Sequence, residues 1–263
     1  MSLILRELNE TKTLLVSFFR LASEHKKITA FTIIIFMLLE LLIQTIPFAT
    51  KPHLPPDAVE IFNEILSAIL YSTIGAYILF LSVTNLHRRN CHQPSLIKAI
   101  SFKKYIFNIL KISGIYLFGV FIAGCLFALL FWLSKLLPFL DWLLLSKVVL
   151  YPLGAIAFYL FLTWTYAISI CSIHVALMPC QTTLSTCKEY FLQSLKTMPR
   201  VLTFFAAQFL PMAIFLILSF PETLPMMLIW GCFYWGYVGF LYAYWFYLEH
   251  QLFEAQLTQS LAE

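Results

Sequence analysis

The chain has 263 residues, of which 61% are hydrophobic and 11% charged, with a net charge of +4 at neutral pH. A soluble domain is roughly half apolar and a quarter charged. This composition therefore cannot cover one water-soluble core with polar residues, and lipid is the solvent that suits it.

Residues 2–24 read as an amphipathic helix. Ile4, Leu8, Leu15, Phe18 and Ala22 share one face, and Arg6, Glu10, Thr13, Ser17, Arg20 and Glu24 the other. That many charges do not suit a signal-peptide core, so no cleavable leader is expected, and the first span serves as its own signal. Continuous apolar runs then predict six membrane-crossing helices at about 28–48, 65–86, 112–134, 148–173, 201–220 and 226–248. Each covers roughly 30 Å of hydrocarbon at about 1.5 Å per residue. A transmembrane barrel would show short alternating segments instead. The expected fold is an all-α, polytopic membrane bundle forming one domain over 1–263, with 249–263 as a tail.

Shorter amphipathic segments precede the third and fifth spans, at 95–106 and at 183–197. The second carries Leu184, Cys187, Phe191 and Leu195 on one stripe. The linkers after spans one, three and five are short and hold Pro47, Pro52, Pro55, Pro56, Pro138, Pro221 and Pro225. Proline stops helices and stiffens turns, and these linkers are too short for a folded external domain.

Charge sets the orientation. The same three linkers hold only Lys51, Lys135 and Lys147, which leaves 14 of the 17 basic residues on the other side. Basic segments stay in the cytoplasm during insertion, so both termini are expected to be cytoplasmic.

Spans one, three and five begin near 28, 112 and 201, a period of about 85 residues. This suggests a three-fold repeat of interface helix, span, external turn and returning span. The alternative is that any protein built from hairpins with basic inner loops shows the same pattern. Ser95–Lys104 and Thr183–Ser194, each leading into a long span, resemble the interfacial helices of a broad bacterial family. Its members are six-span inner-membrane proteins related to the membrane domain of glycerophosphoryl diester phosphodiesterase. The resemblance implies an architecture and a bacterial inner membrane, and no functional residues.

Few polar residues lie at membrane depth. Glu40 sits about twelve residues into the first span, roughly 18 Å from Lys27 at about 1.5 Å per residue. A carboxylate there is costly, and no cation lies at matching depth, so a protonated acid bonded to a hydroxyl or amide is the cheaper state. Gln44 is one turn on, on the same face. Glu40 is either a neutral tie between helices or a proton-coupling site. Pro211 interrupts span five and frees the carbonyl of Ala207 beside Gln208, which marks a cavity border or a packing kink.

His174 ends span four near Thr163, Thr165, Ser169 and Ser172. Such hydroxyls form a polar stripe or bond back to their own helix. His87, Cys91, His92, Cys180 and Cys187 fall on the same side as His174, but their spacing is not a zinc pattern. No metal, cofactor or structural disulfide is expected. Gly119 with Ala123, Gly124 with Ala128 and Gly239 with Ala243 suggest close helix packing. Aromatic residues ring the whole of span six and are expected to meet both protein and lipid.

No G-x-x-x-x-G-K-[ST], H-E-x-x-H or G-x-S-x-G sequence is present. The leading expectation is a non-enzymatic protein that handles lipid or another amphiphile, or supports envelope assembly. The rivals are a secondary transporter coupled through Glu40 and a structural subunit. Membrane lipids and other membrane proteins are the expected partners, and no nucleic acid is.

Overall fold

The computed structural model describes residues 2–50, 61, 64–67, 69–90, 102–136, 147–177, 183–217 and 224–262. Among these residues every regular element is a helix. The helices are α1 (Ser2–Glu24), α2 (Lys26–Thr50), α3 (Ala76–Asn90), α4 (Phe102–Leu136), α5 (Lys147–Leu177), α6 (Thr183–Lys196), α7 (Met198–Ile217) and α8 (Leu224–Ala262). A single π-helical turn, Tyr71–Gly75, leads into α3. Among the described residues, five helices carry a stretch long and apolar enough to cross a membrane: Lys26–Thr45, Phe102–Cys125, Tyr151–Leu177, Met198–Ile217 and Pro225–Ala255. The chain is a helical membrane protein. The predicted span 65–86 falls on the π turn and α3, and part of it lies outside the described residues.

Pro52, Pro55, Pro56, Pro138 and Pro221 also lie outside the described residues, as do residues 95–101 of the second amphipathic segment. Pro47 is not in a linker, because α2 runs through it to Thr50. Pro225 sits in the first turn of α8, where its missing N–H leaves no helical bond unmade. Residues 249–262, expected as a tail, continue α8, and Glu249 and His250 are buried.

α8 is the central helix and packs on α1, α2, α3, α5 and α7. Its residues Ala243, Tyr244, Trp245, Phe246 and Tyr247 are all 0% exposed. With about 3.6 residues per turn, five consecutive buried positions require protein on every side. The expectation that these rings also meet lipid is therefore wrong for this stretch. The α2–α8 seam is tight because α8 presents glycines. A methyl group on Gly236 would lie 2.6 Å from Met37 Cγ and 3.0 Å from the Ile33 carbonyl, and one on Gly239 would overlap the Phe36 ring. Gly119 likewise faces the Trp164 indole across α4 and α5, whereas Gly124 has nothing within 4 Å.

Both described amphipathic helices are rotated from the expected setting. α1 buries Thr11, Leu14, Phe18 and Leu21, and leaves Leu8, Val16 and Phe19 exposed. α6 buries Thr186, Cys187, Tyr190 and Ser194, with Phe191 half-buried. In each case the inward stripe contains polar side chains: Thr11 bonds the Glu7 carbonyl of its own helix, and Cys187 and Tyr190 reach Cys171 and His174 of α5.

Candidate functional site

α1 joins α2 through the single residue His25, so it folds back over one end of the bundle. There the first turn of α7 and the far part of α8 meet it. His25 Nε2 donates to Asn90 Oδ1 at 2.9 Å, and Thr29 and the Tyr244 hydroxyl bond at 2.8 Å, which fix this corner to α3 and α8. Apolar anchoring comes from Phe18, whose ring centroid lies 5.0 Å from Phe240 and 6.3 Å from both Tyr244 and Trp245.

Arg200, in the first turn of α7, is 2% exposed and lies among three carboxylates. Its Nη1 donates to Glu249 Oε2 at 3.4 Å, and its Nη2 bonds Glu10 Oε2 and lies 3.6 Å from Glu7 Oε2. Trp245 Nε1 donates to the Tyr166 oxygen at 2.7 Å, and the Tyr166 hydroxyl donates to Glu249 Oε1 at 2.7 Å. Arg6 Nε donates to the other oxygen of Glu10 at 2.9 Å. Five N–H groups in a rigid planar fork let one guanidinium reach acceptors on separate helices, whereas a lysine offers three donors from a single point. One cation from α7 thereby ties α1 to α8.

Next to Glu249, a second cluster joins three helices. His174 of α5 and His250 of α8 face each other with Nδ1 and Nε2 3.1 Å apart. The Tyr190 hydroxyl of α6 lies 3.0 Å from the same His174 nitrogen. Glu254 Oε1 is 3.5 Å from His174 Nδ1 and 3.9 Å from His250 Nε2. One turn away, Cys187 Sγ lies 2.9 Å from Cys171 Sγ. His87 lies just past the predicted span 65–86, where burial holds its imidazole below the ordinary histidine pKa. Cys91, His92 and Cys180 lie outside the described residues.

Between α1 and α8 runs a groove of about 490 Å³, with Arg6, Glu10, Thr13 and Ser17 on one side and Leu248, Gln251 and Leu252 on the other. Leu14 and Ala255 complete it. Hydroxyl, amide and charged groups share this surface with leucines.

The residues singled out in the sequence lie apart from one another. Glu40 is buried, with Gln44 Nε2 donating to its Oε1. The pair presses on α8 at Gly231, where a methyl group would lie 2.8 Å from Gln44 Nε2 and 3.7 Å from Glu40 Oε1. His174 meets α8 at His250, nineteen residues further on, or roughly 28 Å at about 1.5 Å per residue. Gln208 and Pro211 lie on α7 between these levels. The Tyr237 hydroxyl donates to the Ala207 carbonyl at 3.0 Å, and Tyr234 hydrogen-bonds Gln208. The carbonyl that Pro211 frees is thus capped by another helix. The hydroxyls of Thr163, Thr165, Ser169 and Ser172 bond back to carbonyls of α5, and Ser169 also bonds the Tyr242 hydroxyl at 2.8 Å.

Sequence reasoning missed Arg200, Glu249, His250 and Glu254. By sequence Arg200 falls among the basic residues expected on the inner side, and the other three fall in the expected tail. The available signal was His250-x3-Glu254, two polar side chains one turn apart on the continuation of an apolar helix.

No protein-family model, no curated protein and no solved structure matches this chain.

Proposed function

We propose that the protein is a non-enzymatic membrane protein that holds a phospholipid at the inner-leaflet surface, in the groove between α1 and α8. In this reading the chain crosses the bilayer six times with both termini in the cytoplasm, and it belongs with the bacterial inner-membrane group it resembles. The groove carries the proposal. It is about 490 Å³ in volume, lies against an amphipathic helix, and pairs Thr13, Ser17 and Gln251 with Leu14, Leu248 and Leu252. Polar groups for a headgroup and leucines for the first methylenes are what an interfacial amphiphile requires. A separate exposed surface at the start of α4, formed by Lys103, Lys104, Ile106, Phe107 and Leu110, adds positive charge suited to anionic headgroups.

Coupled transport through Glu40 has less support. Glu40 is packed against Gly231 and lines none of the described cavities. A structural-subunit role draws on a separate observation. Residues 151–158 of α5 are all exposed, as are Leu117, Phe118, Phe121 and Ile122 of α4, so these faces meet lipid or another protein.

Native mass spectrometry of the purified protein tests the lipid reading. Ser17→Trp and Thr13→Trp should fill the groove and remove a co-purifying phospholipid that the unaltered protein retains. Equal retention in both variants, or no retained lipid in any sample, would overturn it.

A further inference from the structure

We propose that His174, His250 and Glu254 form a divalent transition-metal site of the zinc class, independent of the lipid groove. His174 Nδ1, His250 Nε2 and Glu254 Oε1 all lie within 4.8 Å of one another. Their separations are 3.1, 3.5 and 3.9 Å. A tetrahedral zinc with bonds of about 2.0–2.1 Å holds its ligands about 3.3–3.4 Å apart. The triangle is therefore already close to the size that one ion would set.

The convergence on His174 Nδ1 is the second argument. That atom has the His250 nitrogen at 3.1 Å, the Tyr190 hydroxyl at 3.0 Å and the Glu254 oxygen at 3.5 Å. A ring nitrogen carries either a lone pair or a single N–H, so hydrogen bonding engages one of these three well. A cation at their centre engages both imidazole lone pairs and the carboxylate together. The Tyr190 oxygen or a water then takes the fourth position.

Ligand chemistry and scaffold agree. Two neutral imidazoles and a carboxylate form a set known for zinc, whereas calcium and magnesium take oxygen ligands throughout. His250 and Glu254 are one turn apart on α8, just past its fully buried stretch, and His174 is 2% exposed on the last turns of α5. Rigid helices hold the triangle without a loop having to fold around the ion. The ion would join the end of α5 to α8, beside the Arg200–Glu249 pair.

The test uses the full chain in detergent, with any histidine tag removed and metal stripped by a chelator. Zinc is titrated against a chromophoric chelator, and cobalt(II) is added separately for its visible spectrum. The expected result is about one zinc per chain and the intense visible bands of four-coordinate cobalt. His250→Gln and Glu254→Gln should each weaken zinc binding by more than about 100-fold, since even outer-shell changes cost about 10–100-fold. His25→Gln, outside the cluster, should bind as the unaltered chain does. Weak six-coordinate cobalt bands, or zinc binding by the unaltered chain no tighter than by Glu254→Gln, would overturn the proposal. Glu254 is half-buried, so its variant is the milder, and the cobalt spectrum decides without any variant.

Discussion

Replacing Arg200 with methionine tests how α1 is held. The substitution keeps most of the side-chain volume but removes the cation that ties Glu7 and Glu10 of α1 to Glu249 of α8. Glu249, 6% exposed, then loses its cation and keeps the Tyr166 hydroxyl as its donor. Breaking a buried pair from one side costs about 3–5 kcal/mol. The apolar side of α1 is untouched. Leu14, Phe18 and Leu21 remain buried, each worth about 1.5–3 kcal/mol. Within α1 the loss should be confined to the first half: residues 6–12 should exchange their amide hydrogens roughly 100-fold faster or more, while residues 14–24 stay protected. Hydrogen exchange read by mass spectrometry in a nanodisc resolves the two halves. Arg200→Met with Glu249→Leu should restore much of the global stability, because replacing both partners with apolar groups is often neutral. Arg6→Ala, which removes an exposed pair with Glu10, should leave global stability unchanged. Uniform protection across α1 in Arg200→Met, or a double variant no better than the single, would refute the ionic clamp.

Further tests address packing, Glu40 and topology. Gly239→Val should separate α2 from α8, because its side chain would overlap the Phe36 ring, at about 1–3 kcal/mol in thermal unfolding, whereas Gly124→Ala should be neutral. A fully stable Gly239→Val would contradict the close α2–α8 seam. Glu40→Gln keeps the shape and an acceptor for Gln44, so unfolding should be unchanged; a large drop would mean that Glu40 is held by its charge. In a cysteine-free background, single cysteines at Asp57, Asp141 and Glu222 should react with an impermeant external thiol reagent, and those at Asn90 and Lys188 should not. Labelling at Asn90 in intact cells would break the six-span orientation.

Composition and apolar run length made the all-α membrane bundle legible, because lipid imposes a long continuous pattern that neither caps nor loops disguise. The Ala207 carbonyl freed by Pro211 was legible from local sequence; its partner, Tyr237, was not, since it lies 30 residues away on another helix. Helix facing was harder to read. α1 and α6 turn inward on stripes that include Thr11, Thr186 and Ser194, and a hydrophobicity pattern assigns such residues outward. The polar layer at the α1 end was hidden more completely. Glu10 and Arg200 are 190 positions apart, and each taken alone is an ordinary charge on an inner surface. Counting basic residues predicts a side of the membrane and says nothing of burial. Glu249 and His250 were lost because apolarity falls after Leu248 while α8 continues, supported there by packing against other helices.

The most direct test of the lipid-holding account is an experimental structure, determined by electron cryomicroscopy in nanodiscs formed with native lipid. The account expects an elongated density in the groove between α1 and α8. Its headgroup should lie near Thr13, Ser17 and Gln251, and its first methylenes against Leu14, Leu248 and Leu252. A groove holding only water, or closed by a second protein chain, would contradict it.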